Sequence, residues 1–378
     1  MTKKKENRDV IPKSFIIEDG IPKAKYWQGE NKYIFHPMQA GRWLYNYPTY
    51  ENYKNLLGVS KESKNGGLLW YYPNEYKLLR MVGREVTSCI SQAEFLTAFN
   101  KLYDLGITNK EELLKVFLSF KSEEINFNNM LLELPLDNNY PEVILNGWLH
   151  AIIRLIDFYN NTGYGKSFIE STIKKLSNTL VQFDDKKNKI SKYSNLSPYR
   201  IKIYNPSNPK IYYNGSNVFE LKNDATSIYS CHITEVSGSN CILYIGIPNE
   251  YSPKIFNDEP FSIEFFVGSY SPYFTIPQQG GEVIKLNSVK SKDRYVIQIK
   301  NENLFTGYPT PFTKLNKKNY YHVYHVVALG EIIKSFDSEY NPTLEKYYLK
   351  WDKYIDDRNF EKKEIVEFNI NKDRYIVK

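Results

Sequence analysis

The stretch Leu131–Gly163, LLELPLDNNYPEVILNGWLHAIIRLIDFYNNTG, decides the reading of this chain. Its second half carries apolar residues on nearly every side, as a helix buried all round does. It stops at Gly163, a residue that adopts the left-handed conformation closing many helices without steric cost. Its first half is a Pro- and Asn-rich turn carrying Glu133, and the helix opens on Asn146-Gly147. A buried helix needs neither a carboxylate at its mouth nor a glycine in its first turn. Glu133 is therefore a candidate functional acid. The plainer alternatives are that it caps the helix or pairs with a lysine, and that Gly147 lets a neighbouring helix come close.

Working outward, the neighbouring segments are helical too. TSCISQAEFLTAFNKLYDLG stops at Gly106, NKEELLKVFLSF follows, and KSFIESTIKKLSNTLVQF places Ile169, Ile173, Leu176, Leu180 and Phe183 at spacings of three and four, one amphipathic stripe. Short glycine-containing links between successive helices predict antiparallel hairpins. From about residue 199 the period changes: YRIKIYN, KIYYNGSNVFEL, SIYSCHITEV, CILYIGI, FSIEFFVG and YVIQIK are β-branched or aromatic runs separated by Asn-Gly, Pro and Gly-Gly. Helix returns in YYHVYHVVALGEIIKSFDSEYNPTLEKYYLKWDKYID, with Val326, Leu329, Ile333 and Phe336 on one face. The expected fold is α+β: an incomplete α/α toroid of helical hairpins with an inserted antiparallel β-sandwich-like module. The expected boundaries are an aromatic, turn-rich segment over 1–80 with at least one short helix, packing on the helical domain; the first part of the toroid over 81–198; the β module over 199–316; and closing helices with one or two terminal strands over 317–378.

Composition narrows the function classes. Hydrophobic residues make up 42% and charged residues 25%, which is ordinary for a soluble globular protein. With 33 Tyr and 21 Phe the chain is aromatic-rich; codon bias accounts for most of this, although tyrosine also suits polyhydroxyl ligands, the ring packing on C–H faces while the hydroxyl bonds. A net charge of +7 is compatible with a basic groove for a polyanion. No basic helix, RNP-like strand or zinc-finger spacing points to nucleic acid. Cys89, Cys231 and Cys241 form no CxxC, which argues against a disulfide framework and a structural zinc site. No run reaches membrane-span length, and the basic start MTKKKENRDVIPK has no apolar region behind it. A cytoplasmic location is expected.

Taken together, these blocks resemble the C-terminal domain of the D-glucuronyl C5-epimerase family. Glu133-Leu134-Pro135, a spacer, then Ile144-Leu145-Asn146-Gly147 opening a long apolar helix is similar to that family's acidic-aromatic-Pro motif followed by VLNG. TSCISQAEF resembles its Ser-x-x-x-Gln helix, pairing Ser88 or Ser91 with Gln92; KISKYSNLS offers Tyr193 where the family has Tyr-Asp-Leu; and Tyr321, His322, His325, Leu329, Trp351 and Tyr354 match its closing helix pair. The blocks keep the family's order over roughly residues 30–195 and 316–356. Three departures stand out. Leu134 occupies the place of a family tyrosine implicated in proton transfer, the spacer holding Tyr140 is longer, and an arginine next to the Tyr193 position is lost.

The resemblance implies conversion of D-glucuronate to L-iduronate within an acidic, heparosan-like polysaccharide. That chemistry removes the hydrogen α to a carboxylate and returns a proton to the opposite face. It needs an acid/base on each face and hydrogen bonds or cations for the enediolate-like intermediate. Glu133 is expected on one face, with Tyr193 and Tyr321 on the other. A phenol acting as base needs a nearby cation, for which Arg200, His322 and Arg154 are candidates. His322 and His325 are expected either to reach the uronate carboxylate or to hold Tyr321; Asn146, Gln92 and Tyr140 complete the expected substrate contacts. No cofactor is required, and a His-x-x-His pair without a third ligand motif predicts no metal. Family members often dimerise, so a homodimer is compatible. Two alternatives stay open: an inactive glycan-binding or scaffold protein of the same fold, which Leu134 favours, and a uronate polysaccharide lyase, which shares the first step.

Overall fold

The decisive stretch does contain one long buried helix, and its place in the chain organises the rest. The computed structural model describes residues 15–25, 33–73, 85–133, 143–186, 189–204, 210–213, 217–220, 230–237, 240–248, 261–265, 273–277, 283–287, 289–291, 294–299 and 320–357, with backbone alone over 196–320. Among these lie eight α-helices: α1 (Pro37–Asn46), α2 (Tyr50–Gly58), α3 (Cys89–Asp104), α4 (Lys110–Leu118), α5 (Leu145–Thr162), α6 (Lys166–Thr179), α7 (Tyr320–Ser335) and α8 (Asn341–Asp357).

Their ends are written in the sequence. The His36 ring accepts from Gln39 N–H ahead of Pro37 at the start of α1. Thr49 accepts from Asn52 N–H at 3.2 Å, and Asn109 from Glu112 N–H at 2.9 Å, each satisfying an otherwise open amide of its helix. Gly106 and Gly163 close α3 and α5 with φ of 69° and 70°, the left-handed conformation the sequence predicts. Ile169, Ile173, Leu176, Leu180 and Phe183, the α6 stripe and its short extension, are all fully buried. Each such side chain contributes roughly 1.5–3 kcal/mol relative to exposure.

The packing order is regular. α1 packs on α3, α3 on α5 and α5 on α7, while α2, α4, α6 and α8 pack on α1, α3, α5 and α7 respectively. Two helices, α1 and α2, therefore lie in the N-terminal segment expected to be mainly aromatic turns. Trp70, stacked on Phe95 at 3.7 Å and donating its indole N–H to Leu56 O at 2.7 Å, ties that segment to α3 through α2. Its aromatic residues are core rather than loop.

Nineteen strands lie among the described residues. β1 (Phe15–Glu18), β2 (Ile21–Lys25) and β3 (Tyr33–Phe35) form an N-terminal antiparallel sheet. Three two-stranded ribbons, β4–β5 (Lys61–Glu62, Leu68–Leu69), β6–β7 (Asn126–Phe127, Met130–Leu131) and β8–β9 (Asp184–Asp185, Ile190–Ser191), edge the helices. The β region holds a five-stranded antiparallel sheet in the order β13-β14-β10-β16-β17: Ser230–Ser237, Asn240–Pro248, Leu196–Tyr204, Tyr273–Pro277 and Val283–Asn287. The same stretch of chain also holds a three-stranded sheet β15-β19-β18 (Phe261–Phe265, Arg294–Ile299, Val289–Ser291) and the β11–β12 hairpin (Lys210–Tyr213, Asn217–Glu220). YFTIP, VIKLN and VKS are strands that the sequence reading passed over. The architecture is thus mixed α+β with antiparallel sheets. The terminal strands expected within KKEIVEFNINKDRYIVK, and Leu134 and Tyr140, lie outside the described residues; of Arg200 the backbone in β10 is described. Among the described residues no helix is long and apolar enough to cross a membrane.

Candidate active site

The mouth of α5 is assembled from three distant segments. Strand β7 hands the chain to Leu132, which accepts from Cys89 N–H at 2.9 Å at the start of α3 and donates to Ile125 O. Glu133 is thereby set between the first turns of α3 and α5. A Cβ built on Gly147 would meet Glu133 Cβ at 2.9 Å and the carboxylate more closely still. Gly147 therefore makes room for the glutamate side chain, where close approach of a helix was expected. Asn146 Nδ2 lies 3.4 Å from Glu133 Oε2, a long hydrogen bond.

The second segment runs antiparallel to the helix mouth. Leu145 N–H donates to Tyr193 O at 2.9 Å, Val143 N–H donates to the Asn195 side chain at 2.7 Å, and Asn195 N–H returns to Val143 O. Tyr193 is thus pinned beside the first residues of α5. Tyr321, in the first turn of α7, brings its ring to 4.5 Å from the Tyr193 ring, edge to face. Burial and the nearby charge of Glu133 push the Tyr321 phenol above the ordinary tyrosine range, while a hydrogen bond with Tyr193 acts against them. Burial and the same carboxylate raise the Cys89 thiol. Glu133, Asn146, Tyr193 and Tyr321 therefore converge, although they come from residues 133, 146, 193 and 321. The sign of the field is a correction to expectation. Tyr321 next to a carboxylate keeps its proton, which fits a proton donor and not a base.

His322 and His325 are fully buried, so a substrate carboxylate has no path to them. Ser191 N–H donates to His322 Nδ1 at 2.9 Å, which places the His322 proton on Nε2, 3.1 Å from Trp351 O. Ser191 Oγ also lies 2.8 Å from Nδ1 of each histidine. Burial, and then the neighbouring His322, hold His325 neutral by lowering its pKa well below the usual range. These two side chains fasten the segment carrying Tyr193 onto α7. Their spacing was legible; their contact with substrate is corrected to a structural role.

Gln92 and Arg154 are likewise corrected. Gln92 is buried with its amide 2.8 Å from Thr87 Oγ1 and against the Trp70 backbone. Arg154 is buried, and its guanidinium pairs with Asp157 at 2.9 Å while adding positive charge near Glu94. Neither reaches solvent from these positions. Arg154 faces Asp157 and Glu94, and His322 faces Ser191 and Trp351. Arg200 and Tyr140 keep their sequence-level standing, since their side chains lie outside the described residues.

Sequence reasoning missed a second polar cluster. Glu94 on α3, fully buried, takes Arg42 of α1 on one carboxylate oxygen, with Nη2 at 2.8 Å and Nε at 2.9 Å. His150 Nε2 of α5 is 3.2 Å from the same oxygen, close but not in line, and Tyr324 Oη of α7 is 3.4 Å from His150 Nδ1. Burial disfavours the charge on Glu94, but Arg42, His150 and Arg154 outweigh it and hold the carboxyl well below the usual carboxylate range. One usable signal was present: a glutamate at position 94 amid the apolar run of α3, and a histidine amid that of α5, must be paired if buried.

Among the described residues no group of three His, Cys, Asp or Glu side chains is arranged to hold a metal ion. Compared with known proteins, the chain matches no family model, no curated protein and no solved structure.

Proposed function

We propose that this chain epimerises glucuronate at C5 within an acidic polysaccharide, with Glu133 as the base and Tyr321 as the proton donor. The observation that carries the reading is the approach of the Tyr193 and Tyr321 rings to 4.5 Å beside the Glu133 carboxylate. An ionised carboxylate can take the C5 proton, and a phenol kept protonated by that carboxylate can deliver one to the other face. As Glu133 is neutralised by the proton it accepts, its field on Tyr321 weakens and the phenol becomes a better donor. The Tyr193 hydroxyl hydrogen-bonds the phenolate left behind, and transfer from the Glu133 carboxyl to that phenolate resets the pair. The Asn146 amide, next to the carboxylate, is suited to donate to the enediolate oxygens.

In this reading Leu134 is tolerated because Tyr193 and Tyr321 supply the phenols without it. The serial packing of α1, α3, α5 and α7 is compatible with the inner helices of an incomplete α/α toroid, and the antiparallel sheets with a sandwich-like module, both of which this reading assumes. A net charge of +7 favours a polyanionic chain as substrate.

The test is to incubate heparosan polymer with the protein in D2O and follow the polymer by NMR. Deuterium at C5 together with iduronate signals supports the proposal. An unsaturated uronate absorbing in the ultraviolet replaces it with lyase chemistry. Measurable binding without either product replaces it with a non-catalytic glycan-binding role.

A further inference from the structure

Glu94, His150 and Tyr324 form a buried series across α3, α5 and α7, with contacts of 3.2 Å and 3.4 Å. Their order has a chemical direction. Glu94 is ionised and can only accept, so Nε2 of His150 bears a proton whether the imidazole is charged or neutral; in the neutral form Nδ1 is left to accept from the Tyr324 hydroxyl. Arg42 closes the far end from α1, its side chain 36% exposed where that of Glu94 is 0%.

The series lies one helical turn from the candidate active site on two elements at once. His150 follows Gly147 by three residues and Asn146 by four on α5; Tyr324 follows Tyr321 by three on α7. Residues at these spacings are neighbours on one helix face. The contact from Tyr324 to His150 therefore joins the turn of α7 adjoining Tyr321 to the turn of α5 adjoining the Glu133 carboxylate.

Such a link matters because α7 is apolar on most sides. Val323, Val326, Ala328, Leu329 and Ile332 are all buried, so apolar burial alone defines its rotation about its own axis poorly. Directional polar contacts define it. At about 100° per residue, Tyr321 lies between Tyr324 on one side and His325 and His322 on the other. The histidines hold Ser191 on their side, and Tyr324 holds His150 on the opposite side.

We propose that the Glu94–His150–Tyr324 relay is a positioning device that fixes the rotation of α7 against α5 and so sets the distance between Tyr321 and Glu133. Its catalytic consequence rests on the function proposed above; its geometric consequence does not. Tyr324 is the residue that makes the link, and Glu94 acts through His150 by fixing the tautomer.

The test uses the full chain with 13Cζ-labelled tyrosine, the Tyr321 signal being assigned by its loss in Tyr321→Phe. In the parent protein, Glu133→Gln lowers the pH at which Tyr321 ionises, because one of the causes of its upward shift is removed. In the Tyr324→Phe background, which keeps the ring and loses only the hydroxyl, the same Glu133→Gln shift is expected to fall to half or less. Equal shifts in the two backgrounds would overturn the proposal, as would a 15N spectrum placing the His150 proton on Nδ1. If C5 exchange is observed, Tyr324→Phe should lower kcat about 10- to 100-fold with KM unchanged, as expected for reacting groups misplaced by about 1 Å. If the parent protein exchanges no C5 hydrogen, the proposed function fails, while the titration still decides the positioning role.

Discussion

Glu94 and Glu133 are a matched pair of carboxylates in opposite circumstances. Each is admitted by a glycine on a neighbouring helix: a Cβ on Gly41 would meet Glu94 Cβ at 2.9 Å, and one on Gly147 would meet Glu133 Cβ at 2.9 Å. From there they diverge. Glu94 is fully buried and faces Arg42, His150 and Arg154, cations or potential cations that hold it ionised. Glu133 is half-buried, and the groups shown near it are neutral: the Asn146 amide, the Tyr321 phenol and the Cys89 thiol. A carboxylate whose charge is answered by buried cations is held in one state and serves as a structural joint. One that is half-buried beside an amide and a phenol is not locked in that way.

The contrast is broken most severely at Glu94. Glu94→Gln leaves Arg154 and His150 facing a neutral amide in the interior, and removing one partner of a buried charge pair costs about 3–5 kcal/mol. Urea unfolding should show a loss of that order, and a change under about 1 kcal/mol would mean that Glu94 is not the joint of α1, α3 and α5. The same joint has a pH dependence of known sign. Folding depresses the Glu94 pKa, so stability is fully present above the ordinary glutamate range, near about 4.3, and is lost as pH falls below it. Parent protein should therefore lose thermal stability on acidification from pH 5 to pH 3, roughly, more steeply than Glu94→Gln.

A smaller effect belongs to Gly147. Gly147→Ala raises intrinsic helix propensity by about 1 kcal/mol, but the new methyl overlaps Glu133 and overpacking costs about 1–3 kcal/mol. The net should be a loss of about 1 kcal/mol accompanied by a displaced carboxylate. A stabilised variant would show that Glu133 swings away freely, and with it the reason for a glycine in that turn would disappear.

The contrast between the two glutamates also explains what the sequence revealed. The buried helix, its glycine stop, the α6 stripe and most strands were legible because each rests on local periodicity or a local backbone requirement. Glu133 and Asn146 were legible as candidates because they sit at a turn and a helix mouth, where a polar residue has few structural duties; Tyr193 and Tyr321 came only from the family resemblance. Glu94, His150 and Tyr324 were not legible. Each lies inside an apolar run, and its meaning comes from partners on other helices that no spacing reveals. For the same reason His322, His325, Gln92 and Arg154 were misread as substrate contacts. Their exposure depended on how α3, α5 and α7 pack, which no local pattern states. The N-terminal segment was underestimated because Trp43, Tyr53 and Trp70, all buried, look in sequence like the aromatics of a surface loop.

The smallest stability effect is expected at the other glutamate, and it sharpens the distinction most. Glu133→Gln preserves shape and keeps an acceptor for Asn146, so unfolding free energy should change by less than about 1 kcal/mol, in contrast to Glu94→Gln. The substitution nevertheless removes a negative charge beside Tyr321. Because that charge, after burial, helps hold the phenol above its ordinary range, Tyr321 should ionise at lower pH in the variant. If the proposed chemistry is correct, C5 exchange should fall by about 10²–10⁴, the range for loss of a general acid or base. A destabilisation matching that of Glu94→Gln, with Tyr321 titrating as before, would instead make Glu133 a second structural joint: the helix-mouth carboxylate would then be an end cap for α5, and the phenol pair would need another base.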